Sequence, residues 1–327
     1  MFEQIHRHLT RRAALVHAAA LASTALAQPL ASKPYRIIVA FSPGSINDAV
    51  ARDLARWMSE TLSHTIIVEN RPGAGGQIGT DAVAKASPDG ATMGLGTSSQ
   101  LVMNVGLYRN LPFDVEKDLR MIGLIGRTPL LLAGLASGPK TLKELIAHAK
   151  AYPGQLSYGS AGTGSISHIV GEAFARATGV QLTHVPYKGN GAALADLAGG
   201  HVDLVFDGVE TSRSLAEQGH VRWLAISGNK RSPVAPYLPT FAEQGLPDYE
   251  AYTWNCLMAP VGTPSEIIER LNQALNVALT QPAIKARFAQ AGVDNLSPST
   301  PAEADAFAQR ERARWVPFVR SLKLDVG

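Results

Sequence analysis

The chain has 327 residues, 46% of them hydrophobic and 17% charged, with a net charge of +3 and a single cysteine. That is enough for about two globular domains with ample core. The near-neutral charge argues against nucleic acid or a strongly anionic surface as partner, and one cysteine, Cys256, permits no intrachain disulfide.

The N-terminus reads as a targeting segment. Arg7, Arg11 and Arg12 precede a short alanine-rich apolar run, Ala13 to Ala25, and Ala25-Leu26-Ala27 supplies the small residues of a signal-peptidase site. Cleavage after Ala27 makes residues 1–27 a signal peptide and Gln28 the first mature residue, in an exported, periplasmic protein. An amphipathic first helix is the bland alternative, but His17 is the only strongly polar residue in the run. Thr10-Arg11-Arg12 hints at twin-arginine export, yet the residues after it favour the general route. Losing three arginines and one glutamate leaves 27 basic and 26 acidic residues, net +1. No later run reaches the ~20 apolar residues that span a bilayer.

Tyr35–Phe41 is a nearly continuous apolar run, as in a strand buried on both faces of a parallel sheet. Ser42-Pro43-Gly44 turns the chain, and Ser45 with Asp48 three residues on reads as a capping box. Val50, Leu54, Trp57, Met58 and Leu62 follow near helical spacing, then a strand at Thr65–Glu69. A right-handed parallel crossover is the default for this unit.

Asn70–Gly79 is the glycine-richest stretch, entering a helix over Thr80–Lys85. It fails as a dinucleotide fingerprint because the third glycine would fall at Ile78. Gly162 and Gly164 fail likewise at Ser167, and no phosphate-loop pattern exists. A strand at Ala91–Gly96 leads into the polar loop Thr97–Gln100. Met121–Ala136 reads as two strands broken by Arg127-Thr128-Pro129, a place to cross into a second domain.

Thr141 caps another helix, which ends near Pro153-Gly154. Leu156–His168 is then strand end, turn of tiny residues and helix start, with Ile169, Val170, Ala173 and Phe174 on one helical face. Glycine and serine keep bulk away from N–H groups that lack intrahelical partners, which suits an anion such as a carboxylate. A strand–helix connection packed with small residues is the bland alternative, and the similar turn at Ser42–Asp48 weighs against it. Strands follow at Leu182–Val185, Val202–Asp207 and Val221–Ser227, with a helix at Ala192–Leu197 after the Pro186–Gly191 turn. Trp254–Ala259 is the return crossing, and three helices close the chain. Thr263–Glu266 and Thr300–Glu303 read as capping boxes with proline at the first helical position.

The pattern predicts two α/β lobes: 33–126 with 252–327, and 127–251. Ligands of open α/β sheets sit at the carboxyl ends of the strands, so both small-residue turns would line a shared cleft.

Several stretches together resemble the extracytoplasmic solute receptors of tripartite tricarboxylate transporters, the Bug family. They are Phe41-Ser42-Pro43-Gly44 with Asp48 and Arg52, Val68–Gly76, Leu95-Gly96-Thr97, Tyr158–Gly162, His184–Gly189, Asp203–Asp207, Lys230–Pro233 and Ala259–Pro264. The likeness covers essentially the whole mature chain. It implies a type II periplasmic-binding fold with a hinged cleft, a small carboxylate held by main-chain N–H groups and waters from the two turns, and delivery to a two-component permease. Two departures concern the ligand: Ser42-Pro43-Gly44-Ser45 replaces the usual Pro-Pro-Gly-Gly, and Asn255-Cys256 replaces a common aromatic–glycine pair.

The candidate ligand residues are Ser42, Gly44, Ser45, Asn47, Thr97 and Ser98 from lobe one, and Ser160, Ala161, Gly162, Thr163, Gly164, Ser165, Tyr187 and Asp207 from lobe two. Asp207 has two readings, acceptor for a ligand ammonium or hydroxyl, or partner of a neighbouring loop. Asp48 is read as a helix cap, His168 as a packing or hydrogen-bonding residue, Lys188 as solvated and the Asn70–Gly76 loop as a rigid turn. No cofactor, metal or catalytic residue is expected, and the receptor is expected as a monomer. The rivals are a sensor docking on a membrane signalling partner and an exported serine hydrolase using Ser160, although no Gly-x-Ser-x-Gly elbow is present.

Overall fold

The computed structural model describes residues 34–324. The export segment expected over residues 1–27 lies outside the described residues. Two sheets organise the chain.

The first sheet begins with β1 (Tyr35–Val39), α1 (Ile46–Leu62) and β2 (Ile66–Asn70), and β1 and β2 pair in parallel. Ile38 is buried in the core on one face of the strand, while Ile37 and Val39 on the other are buried under α1, against Ala51, Leu54, Ala55, Met58 and Leu62. That is the 3.6-residue stripe the sequence shows. α2 (Gln77–Ala84) leads to β3 (Thr92–Thr97), on the other side of β1. β3 is followed by an irregular turn at Ser99–Met103 and a short helix, α3 (Asn104–Leu107).

β4 (Leu119–Pro129) stays in the first sheet to its end, and β5 (Leu131–Leu135) lies in the second. The break therefore falls at Leu130 rather than across Arg127-Thr128-Pro129. The second sheet continues through α4 (Leu142–Ala151), β6 (Ser157–Ser160), α5 (Ile166–Thr178), β7 (Thr183–Pro186), α6 (Asn190–Ala198), β8 (Leu204–Asp207), α7 (Val209–Glu217) and β9 (Val221–Ile226). Its order is β7-β6-β8-β5-β9, with β6 parallel to both neighbours and β5 antiparallel to β8 and β9.

β10 (Tyr252–Pro260) returns antiparallel between β3 and β4. Trp254–Ala259, expected as the crossing itself, is thus a central strand, and the crossing is at Ala251. The two crossings are bonded together: Leu130 N–H donates to the Ala251 carbonyl at 2.8 Å, Ser227 N–H to the Leu130 carbonyl at 2.9 Å, and Ala251 N–H to Ser227 Oγ at 2.7 Å.

α8 (Ser265–Leu279), α9 (Pro282–Ala291), β11 (Asp294–Asn295) and α10 (Pro301–Ser321) complete the first sheet and its cover. The capping box at Thr300 forms in both directions, with Glu303 N–H donating to Thr300 Oγ1 at 3.2 Å and Thr300 N–H to Glu303 Oε2 at 2.8 Å. The one expected at Thr263 does not. Its hydroxyl donates to the Pro260 carbonyl instead, and Pro264 becomes an N-cap without a side-chain bond.

One apolar cluster lies between the first sheet, α1 and α8. A second runs from Met121 and Met258 on the first sheet and Leu101 in the turn after β3, through Trp254, to Leu132 and Phe206 on the second sheet and Phe174 on α5. Cys256 belongs to it and is fully buried, where burial raises its thiol far above the usual range. Gly96 leaves the room its sulfur occupies, since a Cβ there would sit 2.9 Å from Sγ. It is the small core residue that an apolar neighbourhood predicts.

Candidate functional site

The first small-residue turn delivers the start of α1. Gly44 takes φ +81°, a left-handed value that glycine adopts freely. Ser45 caps the helix through Asp48 N–H at 3.2 Å, but Asp48 does not return the bond. Its carboxylate accepts from Gly44 N–H at 2.9 Å, from Asn70 Nδ2 at 2.9 Å and from two Arg52 nitrogens at 3.0 and 2.9 Å. The Arg52 hydrogen bond, then Gly44 and Asn70, lowers its pKa to about 2 against the opposing effect of burial. Asp48 is structural, as expected, but as the knot between α1 and β2 rather than half of a capping box. The N–H groups of Ile46 and Asn47 have no carbonyl one turn earlier to bond, and they carry the positive end of the helix dipole.

Around this helix start lies a cavity of about 230 Å³. Asn47, Thr97, Thr128, Thr253, Asn255, Asp207 and Glu210 give it polar walls, and Phe41, Ile46, Leu130 and Val293 give it apolar ones. A few polar groups among apolar ones is the composition of a small-molecule site. Ile46 is 59% exposed, an apolar side chain left uncovered at the mouth. Asn47 Oδ1 accepts from Asn255 Nδ2 at 2.9 Å. Thr97, at the end of β3, donates to Gln100 Oε1 at 2.8 Å, and Gln100 Nε2 donates to Thr80 Oγ1 at 2.7 Å. Ser98 is buried just behind, 3.0 Å from the Thr253 hydroxyl.

Asp207 enters from the end of β8 and is 7% exposed. Oδ1 accepts from Asn190 Nδ2 at 2.9 Å and from Gly208 N–H at 2.8 Å, whereas Oδ2 is buried without a partner. Burial raises this carboxyl above its usual pKa, although Asn190, Thr211 and Gly208 oppose the shift. A buried carboxylate oxygen left unmatched is costly.

The second turn behaves differently. Ala161 N–H donates to Ser167 Oγ at 2.9 Å, Gly162 N–H to Ser160 Oγ at 3.1 Å and Gly164 N–H to His168 Nδ1 at 2.9 Å. Ser165 N–H bonds the Gly162 carbonyl at 3.1 Å, and Ser165 Oγ caps α5 through His168 N–H at 3.3 Å. Of Ser160 to Ser165, only Thr163 is exposed, and none lines the 230 Å³ cavity. The turn connects to it indirectly: Ser167 Oγ donates to Asn190 Oδ1 at 2.9 Å, and Asn190 carries the chain on to Asp207.

Beneath the turn, His168 and His184 stack with ring centroids 3.7 Å apart and planes 7° apart. Burial, then the neighbouring His184, lowers His168 to about 4, so it stays neutral and accepts from Gly164. Ser160 Oγ lies 2.7 Å from His184 Nε2. That pair is the one a serine hydrolase would need, but Ser160 is fully buried. Tyr187 donates to Asp196 Oδ2 at 2.8 Å, and burial, with Asp196 adding, raises its pKa to about 12.

Of the residues singled out from sequence, the structure brings Asn47, Thr97 and Asp207 onto one cavity. Ser42, Gly44, Ser45 and Ser98 sit beside it without lining it, and Tyr187 does not reach it. Sequence reasoning missed Ile46, Thr128, Asn190, Thr253 and Glu210. Asn255 carried a signal, since it departs from the aromatic that the resemblance leads one to expect.

Residues 50–324 match the family described as Tripartite tricarboxylate transporter family receptor. The chain is 37% identical to Protein BugT of Bordetella pertussis over 307 residues, covering 92% of this chain and 93% of that protein. Among solved structures it is similar to MatC of Rhodopseudomonas palustris with bound malate (TM-score 0.75, 32% identity, 88% of this chain and 98% of that one). It is also similar to an R. palustris protein with adipate (TM-score 0.78, 34% identity, 89% and 98%).

Proposed function

This chain belongs to the tripartite tricarboxylate transporter receptor family, periplasmic solute-binding proteins rather than enzymes, and from that premise we propose that it captures a small carboxylate between its two sheets and delivers it to a two-component membrane permease. The observation that carries the reading is the convergence of the uncovered α1 start, Asn47 and Thr97 from one sheet with Asp207 from the other. With Asp48 neutralised by Arg52, the dipole end of α1 keeps its preference for an anion. The ligand carboxylate sits at Ile46 and Asn47, with Ser42, Gly44, Ser45 and Ser98 around it. The lobes divide at Leu130 and Ala251 rather than at 126/127 and 251/252, and Ser160–Ser165 and Tyr187 belong to the second. Asp207 Oδ2 accepts from the far side of the ligand, from a hydroxyl, an ammonium or an ordered water.

A melting-shift screen of the mature protein against di- and tricarboxylates, acidic amino acids and aromatic acids tests this. Ligand at 100 times its Kd stabilises by about 2.7 kcal/mol, an upward shift of several degrees. If no small acid raises the melting temperature, the carboxylate reading fails. Asp207→Asn sharpens the test. The folded state holds the Asp207 proton more tightly than the unfolded chain, so this group lowers stability as pH rises above its ordinary range. The variant should melt higher than wild type at pH 7 without ligand, yet bind hydroxy or amino acids more weakly.

A further inference from the structure

A second cavity of about 290 Å³ adjoins the first. The two have Ile46, Thr128, Glu210, Asn255, Ala291 and Val293 in common, which makes them two chambers of one space. The second chamber runs between the first turn of α1 and the last turns of α9, against the end of β4. Ala49, Val50, Ile125 and Phe288 give it apolar walls, and Ile125 and Phe288 belong to the core under α1. Its one cation, Arg287, is already engaged with Asp53 at 2.8 Å. Glu210, at the shared wall, is an exposed acid. This chamber therefore offers no spare positive charge for a second carboxylate. It offers apolar surface and room: a cavity of about 150 Å³ already holds benzene.

Asn255 stands where the chambers meet. On β10, Trp254 and Cys256 point into the core and are fully buried, so the alternation of a strand turns Asn255 the other way, into the cleft. Its amide is drawn to Asn47 Oδ1 at 2.9 Å, so its bulk lies on the side of the first chamber's polar wall. An aromatic ring at this position would fill the passage.

Resting on the receptor reading above, we propose that the ligand is a monocarboxylate with an apolar body, an alkyl chain or an aromatic ring, that occupies the second chamber, and that Asn255 is the specificity-determining residue that admits it. The carboxylate stays at the start of α1, and the body extends past Asn255 toward Phe288.

The test is calorimetric titration of the mature protein with succinate, benzoate, 3-phenylpropionate and octanoate. The expected result is at least about tenfold tighter binding of 3-phenylpropionate and octanoate than of succinate, the gain from burying a few further carbons. Asn255→Trp should abolish that advantage, read as the ratio of 3-phenylpropionate to succinate affinity. Ala49→Leu, which narrows the second chamber away from the Asn47–Asn255 bond, should act the same way and serves if Asn255→Trp does not fold. Succinate binding as well as or better than the long acids, or variants that weaken every acid equally, would overturn the second chamber and leave the receptor reading standing. Binding of no acid at all would take both away.

Discussion

The starts of α1 and α5 are built alike, a glycine whose N–H is taken by the side chain four residues on and a serine that caps the helix, and they differ in what surrounds them. At α5 the side chains of Ser160, Ser167 and His168 take up the N–H groups of Gly162, Ala161 and Gly164. At α1 Asp48 takes the Gly44 N–H in the same way and is itself held by Arg52 and Asn70, and Ile46 and Asn47 line a cavity. A turn of small residues thus permits anion binding without providing it. What decides is whether a cavity opens at the helix start, as it does at Ile46 and Asn47.

Substitutions at the two turns should separate these roles. The largest effect is expected from Gly162→Val. Gly162 has φ +124°, and a Cβ there would lie 3.1 Å from the Tyr187 carbonyl. Strain and crowding should cost about 3 kcal/mol, read as a lower denaturation midpoint, with ligand affinity per folded molecule changed little. Affinity falling with stability intact would restore the α5 turn as a direct anion site.

Next comes Asp48→Ala. The Asp48 carboxylate stabilises the fold at pH values above its ordinary 3.8, and that stability is lost as pH falls through about 2. Removing it should cost about 2 kcal/mol at pH 7 and little at pH 2. Equal loss at both would show that Asp48 matters for packing rather than charge.

The smallest effect sits at His168. The unfolded imidazole binds a proton near 6.5, the folded one near 4, so the stability is complete above pH 6.5 and drains away as pH falls toward 4. His184, Glu172 and Tyr158 face it, and His184 is shifted downward as well, so part of the slope belongs to the pair. His168→Gln should flatten the acid limb by about 1 kcal/mol at pH 5.5. An unchanged limb would place the acid sensitivity elsewhere.

The comparison also marks what the sequence could tell. Ser45, Thr141 and Thr300 were legible as caps because each bond reaches only three residues along the chain. The reciprocal half of the Ser45 box was not, because Asn70, from the next strand, competes for Asp48. Asp207 was legible as a candidate at a strand end, but its two oxygens were not distinguishable. Only the fold shows that Asn190 matches one and leaves the other without a partner. Thr128, Thr253 and Glu210 carry no local mark and reach the cavity only because β4 ends where β10 and α7 begin. Trp254–Ala259 misled because a fully buried central strand and a buried crossing segment have the same apolar text.

The stitching of Leu130, Ser227 and Ala251 has a mechanical consequence. If the halves move as the receptor reading proposes, two passages fastened to each other would act as a single pivot between them. A few degrees of backbone rotation there become ångströms of travel out at Ile46 and Thr163. The shared core through Trp254 and Phe206 sits close to that pivot, where little travel is needed, and keeps the arc short. On the receptor reading proposed above, a solute would be enclosed by leverage rather than by refolding.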